Sequence, residues 1–77
     1  MPTVLTKNGN KYYFYSNDHE PMHMHVKRSS GKAKFDMSDG VKLIESRGMS
    51  IPELNDAQST IEENIEMMRR KWHEFFK

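Results

Sequence analysis

Two hydrophobic periods divide this chain. From Met22 to Leu43 apolar and polar residues alternate, and from about Pro52 apolar residues recur every third or fourth position. A period of two belongs to a strand with one dry face, and a period near 3.6 to a helix with one dry stripe. With 77 residues there is room for one small core, so the two apolar surfaces have to cover each other. The expectation is a single α+β domain over residues 1–77: a β-meander over 1–49 and a helix over 50–77.

Five short segments carry the strand pattern: Thr3 to Thr6, Lys11 to Tyr15, Met22 to Lys27, Lys32 to Met37 and Val41 to Glu45. They are separated by Asn8-Gly9-Asn10, Ser16-Asn17-Asp18, Ser29-Ser30-Gly31 and Ser38-Asp39-Gly40, residues suited to tight turns and positive φ. Such short connections exclude parallel crossovers, so the sheet reads as antiparallel with four to five strands. Met22, Met24, Val26, Ala33, Phe35, Met37, Val41 and Leu43 fall on one face; His23, His25, Lys27, Lys32, Lys34, Asp36 and Lys42 fall on the other. Tyr12-Tyr13-Phe14-Tyr15 is apolar on both sides, which places it centrally or leaves an aromatic pair on the polar face.

In the last third, Leu54, Ala57, Ile61, Ile65, Met68, Trp72 and Phe75 make one stripe of a long C-terminal helix, packed on the apolar face of the sheet. Ser50 with Glu53 three residues on is a capping-box pattern, and Pro52 suits a first turn. Asn55-Asp56 is the point where a first short turn could split off, with the helix restarting at Ala57.

The chain has no cysteine, which removes disulfides and thiolate metal sites and suits a reducing, cytoplasmic setting. Its apolar runs are a few residues long, against the roughly 20 needed to span a bilayer, so no membrane partner is expected. Net charge is only +1, but residues 1–49 hold eight Lys/Arg against five Asp/Glu, and residues 50–77 hold four against six. An anionic partner would therefore meet the strand-rich part.

Leading into and through the third segment runs His19-Glu20-Pro21-Met22-His23-Met24-His25-Val26, holding three of the four histidines. On a strand His23 and His25 project from the same face, opposite Met22, Met24 and Val26. Their side chains should then stand about 6–7 Å apart, from a rise of about 3.3 Å per residue, in solvent among ammonium groups.

The run Met1-Pro2-Thr3-Val4, then Phe14 to Pro21, His23, His25-Val26, Gly31 to Phe35, Glu63-Asn64 and Trp72 to Phe76 resembles a family of small bacterial proteins, domain of unknown function four-one-six-zero. It covers essentially the whole chain. The departures are Asp18 for the usual glutamate, Met22 for a second proline and Met24 for valine; no histidine is lost. The resemblance implies a short protein encoded beside a second small protein, in the manner of a toxin–antitoxin pair, and implies no catalytic residue.

The residues themselves suggest metal-independent RNA cleavage, which needs a base for the 2′-hydroxyl, an acid for the leaving 5′-oxygen and a cation near the phosphate. His23 and His25 are the candidate acid–base pair. Lys27, Arg28, Lys32 and Lys34 are the candidate phosphate holders, and Tyr13 or Tyr15 could stack on a base. No cofactor is required. A metal reading uses His23 and His25 with His19, Asp18 or Glu20 as third ligand. A third reading is purely structural, with the histidines bonding to neighbours. A fourth is an interaction module: unpaired sheet edges, seven methionines and Phe75-Phe76 suit a homodimer or a cognate antitoxin-like protein.

Overall fold

The computed structural model of the protein describes residues 3–14 and 22–76. Five strands, β1 (Thr3–Lys7), β2 (Asn10–Tyr13), β3 (His23–Arg28), β4 (Gly31–Asp36) and β5 (Lys42–Arg47), pair antiparallel in the order β1-β2-β3-β4-β5. This is the expected meander, open at both edges. Its first hairpin turns at Asn8 and Gly9, with φ of 53° and 82°, the pair of positive dihedrals that a two-residue turn needs to follow the twist of its strands.

The sheet is followed by two helices, α1 (Ile51–Glu63) and α2 (Ile65–Phe75), rather than one long one. The interruption falls at Asn64, with φ −117° and ψ 21°, and not at Asn55-Asp56. Its side-chain Nδ2 donates to Thr60 O at 2.8 Å, so a short polar side chain competes for a carbonyl that the helix ladder would use. Ser50 caps α1 as expected: its Oγ accepts from Glu53 N at 3.3 Å, while Glu53 Oε1 accepts from Ser50 N at 2.8 Å. Asn55 and Asp56 stay inside α1, because the capping box has already fixed the start and Ala57 is drawn into the core.

The core forms where the two periodic patterns meet. Tyr12, Met24, Val26, Ala33, Phe35 and Met37 of the sheet pack with Ala57, Ile61, Met68 and Trp72 of the helices. Arg69 Nε donates to Met37 O at 3.1 Å and Gln58 Nε2 to Val41 O at 3.2 Å, tying the helices to the β4–β5 connection. The helices cover the sheet only as far as β4. Leu43, expected inside, sits opposite Phe35 in register yet is 42% exposed, because every residue of the bulged edge strand β5 lies beyond that cover. Phe75, the last residue of α2, is likewise exposed at 42%; it is the ring of the capping residue Phe76 that packs 4.2 Å from that of Trp72.

One close approach fixes the corner between sheet and helices. A Cβ on Gly31 would lie 2.6 Å from Gly48 O and 2.7 Å from Met49 Cγ, and Gly48 itself has φ 73°. The Gly31→Ala variant should therefore lose about 1–3 kcal/mol, the cost of overpacking against backbone that cannot yield. Urea unfolding followed by circular dichroism would register it as a lower midpoint at unchanged slope.

Candidate functional site

On an antiparallel sheet directly paired residues share a face, so the register decides which side chains become neighbours. On the face turned away from the helices it lines up three rows. Tyr13, His25, Lys34 and Glu45 make one; Lys11, Lys27, Lys32 and Arg47 make the next; His23, Asp36 and Lys42 make the third. Tyr13, His25, Lys32, Lys34, Glu45 and Arg47, with Ser30, Ala33 and Ser46, line an open cavity of about 590 Å³.

The expected pair of solvent-exposed imidazoles is not what folds. His25 is half-buried and lines the cavity, its ring stacked on Tyr13 at 5.4 Å and 19°. His23 is only 5% exposed, and its ring lies 5.2 Å from that of Trp72. The two imidazoles do meet, edge to face, with centroids 5.0 Å apart. Strand parity puts both on the open face, but position 23 is the first residue of β3, and Trp72 near the end of α2 packs over that end of the sheet. His23 thereby becomes a wall for His25 rather than its equal in solvent.

The candidate cations divide too. Lys27 and Lys32 are exposed and Lys34 half-buried, all on the open face. Arg28 turns to the helix side: its Nε pairs with Glu53 Oε2 at 3.0 Å, and its Nη1 donates to Asn8 O and, at 3.2 Å, to Asn10 Oδ1. Asn10, fully buried, passes the contact on to the Tyr12 hydroxyl through Nδ2 at 3.2 Å. Arg28 is thus part of a network joining β2, β3 and α1, on the face opposite Lys27, Lys32 and Lys34. Tyr13 is 3% exposed, so its ring supports His25 and has no free face for a base.

Tyr15, His19, Asp18 and Glu20 lie outside the described residues, as does the Ser16-Asn17-Asp18 turn. The metal reading keeps His23 and His25 as neighbours; among the described residues no three His, Asp or Glu side chains gather as a metal site.

Sequence reasoning missed Lys11, Arg47 and Glu45 as site residues. Only register could find them, since Arg47 lies past the predicted end of its strand and the bulge between Lys34 and Phe35 resets which β5 residues face out. The second row then shows a cost. Lys11, Lys27, Lys32 and Arg47 are consecutive like charges, all exposed, and none makes an ion pair among the described residues. Directly opposed like charges destabilise a sheet.

In the third row, hydrogen bonds from the Ser38 hydroxyl at 2.6 Å and the Ser38 N–H at 2.7 Å hold the Asp36 carboxyl below its ordinary value of 3.8. Burial opposes this, and Lys42 and His23 assist it. A depressed folded-state pKa gives stability that is full above the unfolded value and disappears as pH falls through the folded one. Asp36→Asn should therefore flatten the loss of stability below about pH 4, read as a smaller drop in urea midpoint between pH 6 and pH 3 than in the parent.

A meander with its helices on one side and a cation-lined, histidine-bearing face on the other defines a small α+β domain with an open, cation-bearing sheet face. The chain belongs to the family described as Domain of unknown function (DUF4160), which matches residues 9–73. No curated protein and no solved structure matches it significantly. Among the described residues no helix is long and apolar enough to cross a membrane.

Proposed function

We propose that this protein acts on RNA through the open face of its sheet, as the toxin-like member of a bacterial two-protein module in the cytoplasm. The observation that carries the reading is the in-register row Lys11, Lys27, Lys32 and Arg47 alongside His25. A fold that sets exposed cations opposite one another spends stability, and a polyanion laid along the row relieves the repulsion. His25 is then the imidazole with access to a sugar-phosphate, able to take the 2′-hydroxyl proton as base or return one as acid. His23 fixes its neighbour's ring from the buried side. Lys32 stands where charge develops on the crowded phosphate, with Lys34 in the adjoining row beside His25. This chemistry needs no metal.

The test is direct. Purified parent and the His23→Ala/His25→Ala double variant, both shown to be folded by circular dichroism, are incubated with cellular RNA in EDTA. Cleavage by the parent alone supports the reading. Equal RNA integrity in both removes cleavage, and activity in the parent only without EDTA replaces it with a metal-dependent reaction. The toxin role depends on a companion: a small gene beside this one, whose product binds the folded protein, is the expected finding.

A further inference from the structure

Resting on the RNA reading, we infer that the ligand is single-stranded and crosses the strands at right angles, its phosphates on the Lys11–Lys27–Lys32–Arg47 row and its sugars and bases over the row of His25, Lys34 and Glu45. The Lys11–Arg47 row holds only cations, and its ends are separated by three inter-strand steps of about 4.8 Å, about 14 Å in all. That length serves a few consecutive phosphates and follows the sheet across β2, β3, β4 and β5.

The row of His25, Lys34 and Glu45 differs in kind. Glu45 is an exposed carboxylate on the same face, paired in register with Lys34 and lining the same cavity. A carboxylate repels phosphate, so the backbone is held to the outer row. An ionised carboxylate is also an acceptor only, and it suits the donors a nucleotide offers away from its phosphate: a 2′-hydroxyl or an exocyclic amine. The exocyclic amines on the pairing edges are free to reach the sheet only if the bases are unpaired. In a duplex the base edges are engaged with the opposite strand, and the phosphates of both strands would compete for one row. The 2′-hydroxyl then falls beside His25, where the cleavage reading needs its proton to be.

Fluorescence anisotropy with a labelled single-stranded RNA, the matching DNA and the matching RNA duplex tests this in EDTA at several salt concentrations. The expected order is single-stranded RNA tightest, and each of Lys11→Gln, Lys27→Gln, Lys32→Gln and Arg47→Gln should lower the salt slope by about 0.7. Glu45→Gln should tighten DNA and narrow the RNA-to-DNA ratio. Because relief of like-charge contacts favours the fold, the lysine variants should melt no lower than the parent, which separates lost binding from lost structure. Equal or tighter duplex binding, or slopes unmoved by the row variants, overturns the inference and leaves RNA binding standing. If none of the three probes binds, the inference and the RNA reading fall together.

Discussion

Replacing Trp72 by alanine is expected to leave the protein largely unfolded in mild denaturant, with about 3–5 kcal/mol lost. Trp72 is 1% exposed and joins the aromatic rings at one end of the molecule: Phe14 edge-on at 5.1 Å, Phe76 at 4.2 Å and His23 at 5.2 Å. A domain of this length has roughly 4–12 kcal/mol in total, at about 0.05–0.15 kcal/mol per residue, so the loss is a large fraction of the whole. The size follows from close packing, because the cavity left by an indole cannot collapse when strands flank it. Trp72 is the chain's one tryptophan, so the variant has to be followed by circular dichroism rather than by indole fluorescence. With a urea slope near 1 kcal/mol/M the midpoint should fall by about 3 M or more. Trp72→Phe, which keeps a ring in place, should lose much less. Equal stability of the alanine variant would mean that α2 does not pack as described.

The second large effect is on chemistry. His25→Ala should reduce RNA cleavage by about 10²–10⁴-fold, the usual worth of a positioned acid or base, while RNA affinity, held by the cation row, falls far less. His23→Ala should behave differently, because its ring is buried against Trp72 and its loss opens a cavity. That variant should show a lower melting point together with reduced cleavage, and the activity should be compared at equal folded fraction. If the two single variants lose activity equally with no loss of stability in either, both imidazoles act on the substrate. If neither loses any, the histidines are structural. The separation is informative because the two rings share a contact at 5.0 Å but not an environment.

Among the described residues the exposed large apolar side chains are Leu43 and Ile44 of β5, Ile51 at the start of α1 and Phe75 at the end of α2. They stand apart from the cation rows in character.

Much of this molecule was legible in its order of residues. The change from a period of two to a period near 3.6 determines the α+β class, since side-chain direction follows from local backbone geometry alone. The turn residues determine the antiparallel meander, and Ser50 with Glu53 determines where α1 begins; both are short-range effects. Asn64 was harder to read, because an asparagine ends a helix only when its neighbours allow its side chain to take a carbonyl. What the tertiary structure decided is who meets whom. His23 and His25 are equivalent by strand parity, yet one is enclosed and one is open because Trp72, 49 residues along from the first, packs over one end of the sheet. Lys11, Lys27, Lys32 and Arg47 are scattered along the chain and become a row through register, which hydrogen bonding between distant segments sets and no local pattern records.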